Sequence, residues 1–142
     1  MRAVTRALAH DLDLNDVAGS TGYLFVRDGV GLAARGVAAV VPSVDISGFL
    51  SSIESDDEIG VPGSGPVALG VKPFLPDTPW ALVVPSVIVG KGADGRRWVT
   101  RIDGAEDALL PEPAPVPHVA RFSLEPGVDE ETYLSAVRSA RD

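Results

Sequence analysis

The chain has 142 residues, 45% of them hydrophobic, which is enough material for one domain with a buried core. Its net charge of −8 argues against nucleic acid or an anionic membrane as a partner, because phosphate groups would be repelled. The lack of cysteine excludes disulfides, thiolate metal sites and a cysteine nucleophile. No apolar stretch approaches the roughly 18 residues of a membrane span, and the first ten residues lack the apolar run of a signal peptide, so we expect a cytoplasmic protein.

Residues 1–21 show no clear hydrophobic period, so we expect a flexible N-terminus with at most a short helix near Arg2–Ala9. Residues 22–104 are expected to form a β-rich scaffold. It begins with a hairpin in which Tyr23–Arg27 is the first strand and Asp28-Gly29 supplies the turn.

The return strand of this hairpin is predicted over Val30–Val41, with a kink at Arg35-Gly36. A helix is then predicted over residues 43–54, because Ile46, Phe49, Leu50 and Ile53 form one apolar stripe and Ser43 can act as its N-cap. This is the best helical pattern inside the scaffold.

An antiparallel sheet is predicted over residues 65–102. Its strands are the alternating stretch 67–71, the apolar stretch Trp80–Val89 and the polar-apolar stretch Arg96–Ile102. Trp80–Val89 is apolar on both faces, which favours a covered central strand, although Pro85 implies a bulge or a local edge position.

Residues 105–127 are rich in proline and acidic side chains, which predicts an exposed linker with polyproline II character. Residues 128–142 are predicted to start a helix, with Asp129 as N-cap and acidic residues in the first turn. The last residue, Asp142, is unfavourable at the negative end of a helix, and no capping residue precedes it. We therefore expect this chain to be the front part of a longer protein.

Several patterns permit chemistry, but a structural interpretation fits each of them better. The glycine-rich segment Gly60–Gly70 could bring backbone N–H groups to a phosphate, yet it leads into a predicted strand and not into a helix N-terminus, so we interpret it as a turn followed by a strand. The acidic cluster of Glu54, Asp56, Asp57 and Glu58 lacks the ligand spacing of a calcium loop, so we interpret it as a solvated helix end.

His10 and His118 have no neighbouring histidine or cysteine to complete a metal site, and no nucleophile motif accompanies them. Arg96 and Arg97 beside Trp98 resemble a stacking patch for bases. Adjacent strand residues point to opposite faces, however, so we interpret them as exposed basic residues of a hairpin. We assign no catalytic, cofactor-binding or metal-binding residue from these patterns.

Four stretches carry a resemblance to a known family: GYLFVRDGVGLAARGV (22–37), GSGPVALGVKPF (63–74), LVVP (82–85) and GRRWVT (95–100). In this order they resemble the amino-terminal part of isochorismate synthases, which are chorismate-utilising enzymes related to anthranilate synthase component I. The most specific element is GPVALGVKPF, similar to a GPxAxGxxPF strand of the family. The stretch 49–55 is only loosely similar to the LLES motif near the inhibitor site of the anthranilate enzymes.

The resemblance implies an α+β fold, mainly an antiparallel sheet of hairpins with one or two flanking helices, as an incomplete part of the chorismate-utilising fold. Such enzymes convert chorismate to isochorismate with Mg²⁺, in menaquinone or siderophore biosynthesis. Their catalytic lysine and glutamates lie in a carboxy-terminal chorismate-binding domain, so none is assigned here. The implied fragment would be an inactive scaffold whose partner is that domain.

Such a fragment would expose strand edges, and we expect it to self-associate. The alternative is a complete, non-enzymatic β-rich binding or assembly module.

Overall fold

The computed structural model describes residues 1–75, 78–105, 110 and 127–141, and all statements below concern these ranges. They contain the strands β1 (Arg2–Ala7), β2 (Tyr23–Arg27), β3 (Val30–Arg35), β4 (Ala39–Pro42), β5 (Glu54–Asp57), β6 (Ala81–Val84), β7 (Val87–Lys91) and β8 (Arg97–Ile102). The helices are α1 (Leu14–Ala18), α2 (Ile46–Ser52) and α3 (Glu130–Arg141). None of these helices is long and apolar enough to cross a membrane.

Six strands form a main sheet in the order β2-β3-β7-β8-β1-β5. All neighbours in it are antiparallel except β1 and β5, which are parallel. Strands β4 and β6 form a second, two-stranded antiparallel sheet. The expectation of an α+β protein with a mainly antiparallel sheet and a few helices is confirmed.

The N-terminal residues are part of the main sheet. Arg2–Ala7 is strand β1, between β8 and β5, so the expectation of at most a short helix there is wrong, and the sheet spans the boundary expected at residue 21. The reason is long-range pairing. Ala3 and Thr5 are fully buried on one face, and the Thr5 hydroxyl shares a 2.8 Å hydrogen bond with the Thr100 hydroxyl across the β1–β8 pair. Contacts of this kind outweigh the helix propensity of a short alanine-containing segment.

The hairpin predicted around Asp28-Gly29 is confirmed. Strands β2 and β3 pair in register from Tyr23 opposite Ala34 to Arg27 opposite Val30. The two turn residues have φ of 53° and 76°, the left-handed values of a type I′ turn, which matches the twist of the flanking strands.

At the kink predicted at Arg35-Gly36 the chain passes from the main sheet to the second sheet. The chain leaves the main sheet at Arg35 and passes Gly36, whose φ is 70°, before it enters β4 of the second sheet. The apolar stretch Trp80–Val89 makes the reverse change, because β6 belongs to the second sheet and β7 to the main sheet. The predicted interruption at Pro85 is therefore correct, whereas a single central strand is wrong.

Two further predictions need correction. The helix expected over residues 43–54 is α2 and covers only Ile46–Ser52, while Glu54–Asp57 is strand β5 and not a helix end. Parallel pairing with β1 stabilises the extended conformation of this acidic segment. The strand expected over 67–71 is reduced to one bridge between Leu69 and Val83.

The middle of the main sheet is covered on both faces, because the consecutive residues Val87, Ile88 and Val89 of β7 are all fully buried. On one face α1 contributes Val17 to a core that contains Val87, Val89 and Val99. On the other face Val84 of the second sheet and residues from α2 pack against the sheet near Ile102. The apolar stripe predicted for α2 is confirmed as the side that contacts this second core. These two cores bury the centre of the sheet, so the ends of its strands and the edge strands β2 and β5 lie at the surface.

Helix α3 is present as predicted from residue 130. Asp129 caps it, because its carboxylate accepts a 2.9 Å hydrogen bond from the Thr132 N–H. The described side chains of α3 are exposed. Most of the predicted linker over 105–127 lies outside the described residues, as do His118 and Asp142.

Candidate functional site

An apolar cleft lies at one end of the main sheet, and we call it the Trp98 cleft. It has a volume of about 520 Å³ and lies among the β2–β3 hairpin, the loop at residues 61–63 and the turn between β7 and β8. The residues that line it are Phe25, Val30, Gly31, Leu32, Val61, Pro62, Gly63, Lys91, Gly92, Ala93, Asp94, Arg96 and Trp98. A cavity of this size with mostly apolar lining is typical of a binding site.

Trp98 is the fixed element of this cleft. Only 2% of its surface is exposed, and its indole Nε1–H donates a 3.2 Å hydrogen bond to the Gly63 carbonyl, which ties the loop at residues 61–63 to the sheet. The indole lies across Gly90 of β7, where a Cβ atom would come within 2.1 Å of the Trp98 ring. Glycine at position 90 is therefore required for this ring position.

The hairpin wall of the cleft carries a second aromatic side chain, Phe25, which is 75% exposed. Leu32 lies opposite Phe25 in the hairpin register and packs near Gly63. The cleft is thus bounded by one anchored aromatic ring and one ring that faces solvent. Such a pair favours apolar or aromatic groups as occupants.

The charged groups around the cleft are already paired. Arg96 Nε lies 2.6 Å from Asp94 Oδ2 in the β7–β8 turn, and the Lys91 ammonium contacts the Asp11 carboxylate together with Arg97. The Arg96 backbone N–H and then its guanidinium lower the pKa of Asp94, and the hydrogen bond from Lys91 lowers the pKa of Asp11. These contacts favour the ionised carboxylates, so the cleft has a rim of ion pairs around an apolar centre.

Arg96 and Arg97 diverge in the structure, as the alternation of a strand predicts. Arg96 pairs within the turn, whereas Arg97 contacts Asp11 in the segment before α1. The two basic residues therefore do not form one patch with Trp98. His10 is exposed, and no group of three or more potential metal-ligating side chains is found in the described part of the chain.

The acidic cluster forms ion pairs along β5. Asp56 contacts Arg6, which also lies 3.7 Å from a Glu58 carboxylate oxygen, and Arg2 approaches Glu54 and Asp56 at the same distance. The hydrogen bond from Arg6 lowers the pKa of Asp56 below its ordinary value. Glu54, Asp56 and Glu58 of this cluster are therefore ion-paired with the neighbouring strand β1.

The glycine-rich segment is held by its own hydrogen bonds. The Asp57 carboxylate accepts from the backbone N–H groups of Ile59 and Gly60 and from the Ser64 hydroxyl, which lies 2.6 Å away. Burial raises the pKa of Asp57, but these hydrogen bonds outweigh it and the pKa is lowered. The Gly65 N–H donates to the Thr5 hydroxyl at 3.2 Å. The turn predicted for this segment is confirmed, whereas the strand predicted to follow it is reduced to the bridge at Leu69. The N–H groups of Gly60, Val61, Ser64 and Gly65 donate to acceptors within the protein.

The sequence-based interpretation missed the Trp98 cleft. Trp98 and Gly90 both fall near the predicted hairpin, but the register that puts them opposite each other depends on the exact pairing of β7 with β8. No known protein family, no curated protein and no solved structure matches this chain.

Proposed function

We propose that this chain is the amino-terminal scaffold of an isochorismate synthase, a cytoplasmic enzyme of menaquinone or siderophore biosynthesis. Under this proposal the scaffold is inactive alone, and the lysine, the glutamates and the Mg²⁺ site of the reaction belong to a carboxy-terminal chorismate-binding domain. The scaffold supplies framework and packing surface to that domain.

The supporting observation is that the four resembling stretches lie together. Gly63, in the stretch 63–74, accepts the Trp98 indole hydrogen bond, which connects it to the stretch 95–100. Leu69 pairs with Val83, which connects it to the stretch 82–85. The hairpin of the stretch 22–37 borders the same residues through two cavities. If the four stretches belong to one family pattern, they should contact one another in the fold. The contacts above meet this expectation.

The test compares this chain with the polypeptide obtained by extending it through the codons that follow Asp142 in the gene. Each is incubated with chorismate and Mg²⁺, and isochorismate is measured by chromatography, with EDTA as the control for metal dependence. We expect turnover by the extended polypeptide and none by the 142-residue chain. Turnover by the short chain, or a stop codon directly after Asp142, would overturn the proposal.

The second candidate is a complete, non-enzymatic β-rich binding module, and the Trp98 cleft is the observation that favours it. Its apolar centre and paired rim suit an apolar group of another molecule better than a reaction that needs a free base. A stop codon after Asp142, together with perturbation of the Trp98 indole NMR signal by indole or a similar small aromatic probe, would favour this candidate over the scaffold.

A further inference from the structure

The outer edge of β2 is apolar and exposed. Leu24, Phe25 and Val26 are 47%, 75% and 39% exposed, although they lie in the middle of a strand. Strand β2 is last in the sheet order, with β3 as its neighbour in the described part of the chain. An edge of this kind is a template for the addition of another strand.

The turn of the hairpin determines which backbone groups face outward. In a two-residue type I′ hairpin the residues that flank the turn, Arg27 and Val30, form a hydrogen-bonded pair. Hydrogen-bonded and non-hydrogen-bonded pairs alternate from there. Phe25 therefore directs its backbone groups to β3.

The residues on either side of Phe25 direct theirs away from the sheet. The N–H and C=O groups of Leu24 and Val26 point to the outer edge of β2, spaced for an added antiparallel strand. A groove of about 350 Å³ lies beside this strand, bordered on its other side by residues 69–71. An added strand would satisfy these groups and cover part of the groove.

We propose that two copies of this chain pair through β2, antiparallel, about a twofold axis at Phe25. In this register Leu24 of each copy exchanges two hydrogen bonds with Val26 of the other. All five residues of β2 are paired, whereas a shift of the axis to Leu24 or Val26 leaves strand ends unpaired. The twofold arrangement closes at the dimer, because within the described residues each β2 has one edge without a neighbouring strand.

Side chains on both faces fit this register. The two Phe25 side chains meet as a non-hydrogen-bonded pair, in which cross-strand side chains are closest. On the other face Leu24 lies beside Val26 of the second copy. Tyr23 lies opposite Arg27, which permits a cation–π contact. The register thus pairs the three central apolar residues with one another, and no charge lies opposite a like charge.

The charge of the other edge excludes it as the partner. Strand β5 carries Glu54, Asp56 and Asp57, and pairing it with β2 of another copy would desolvate carboxylates against Leu24 and Val26. It would also disturb the contacts of Arg2 and Arg6 with these acids. Self-pairing of β2 avoids this cost, so the second copy meets β2 with its own β2.

Sedimentation of the 142-residue chain over a range of concentrations tests the dimer. The interface is small, so we expect a weak dimer with a dissociation constant of roughly 100 μM, and no larger assembly. The substitution Phe25→Lys places like charges opposite each other at the axis and should weaken the dimer about tenfold or more. Val44→Lys is the matched control, because Val44 is 87% exposed but lies outside β2, and it should leave the dimer unchanged.

Charge pairing tests the register. Phe25→Lys and Phe25→Glu should each associate more weakly than the wild type, and their equimolar mixture should associate more strongly than either variant alone. Val26→Pro should also weaken the dimer, because proline removes a donor that points outward and leaves the bonds to β3 in place.

Since the chain has no cysteine, Phe25→Cys should form a disulfide-linked dimer under mild oxidation faster than Val44→Cys.

Four outcomes would overturn the inference. The wild-type chain could stay monomeric up to about 1 mM, or it could grow beyond the dimer. The dimer could persist unchanged in Phe25→Lys and Val26→Pro. The mixture of the two charge variants could fail to associate. The readouts are mass and cross-linking of this chain, so the inference stands or fails independently of any chorismate chemistry.

Discussion

The two edges of the main sheet are built in opposite ways. Along β5 the acidic side chains of Glu54 and Asp56 form ion pairs with Arg2 and Arg6 of the neighbouring strand. Along β2 the exposed side chains are the apolar Leu24, Phe25 and Val26 in the middle of the strand and Arg27 at its end. Charges on an edge strand oppose the addition of another strand, whereas apolar side chains permit it. The comparison indicates that this sheet is protected at one edge and available for contact at the other.

The β2 edge depends on a close approach between β2 and β3 at Gly31. Its φ is 145°, and a Cβ atom at this position would lie 2.1 Å from the Phe25 carbonyl oxygen. Gly31→Ala combines backbone strain with a steric clash against backbone, so we expect a loss of about 3 kcal/mol or more in the free energy of unfolding, measured by urea denaturation. Hydrogen exchange should increase in β2 more than in β5.

Gly29→Ala is the matched control for this substitution. Gly29 also has a positive φ, of 76°, but a Cβ atom added there would meet no other atom within 4 Å. We expect a loss of about 1 kcal/mol, which is the conformational cost alone. Equal losses for the two variants would contradict the role of the close approach at Gly31.

Next to the acidic edge, stability depends on a buried hydroxyl pair. Thr5 in β1 shares a hydrogen bond with Thr100 and accepts another from the Gly65 N–H. Thr5→Val leaves both partners unsatisfied and should cost about 2 kcal/mol, whereas Thr100→Val affects one hydrogen bond and should cost about 1 kcal/mol. The two substitutions change the side-chain volume equally. Equal losses in urea denaturation would therefore show that the hydrogen bond from the Gly65 N–H to Thr5 does not contribute to stability.

The sequence predicted the elements whose signals are local. Asp28-Gly29 identifies its hairpin within a few residues, and the stripe that contains Ile46 and Phe49 identifies α2. Strand β1 was missed because its partners are β8 and β5, which lie about 95 and 50 residues away along the chain. Its burial pattern follows from those pairings and not from its own composition.

The same limit applies to the candidate site. The Trp98 cleft combines side chains from the hairpin, the loop at residues 61–63 and the β7–β8 turn. The sequence placed Trp98 correctly on a strand, but a shift of one residue in the β7–β8 register would move the indole away from Gly90. The sequence shows the apolar residues and the glycines, but it does not show that the fold brings them together in one cleft.

The smallest effect is expected from the charges of the acidic edge. The pKa of Asp56 is lowered in the folded chain by the hydrogen bond from Arg6, so its contribution to stability is present above the unfolded value of about 3.9 and is lost as the pH falls through the folded value. Asp56→Asn should flatten the decrease in stability below about pH 4, measured by urea denaturation at several pH values. Arg6→Gln should act in the same direction, and the double substitution should change the stability by less than the sum of the two single effects, because both single substitutions remove the pair between Arg6 and Asp56.

Salt separates the two edges in one further measurement. High salt screens exposed ion pairs, so at about 1 M NaCl the difference between Asp56→Asn and the wild type should shrink. The same salt should strengthen pairing through β2, because it screens the repulsion between two chains of net charge −8 and leaves apolar contacts intact. If salt instead weakened the dimer, charged groups and not Leu24, Phe25 and Val26 would hold it together, and the contrast between the edges would fail.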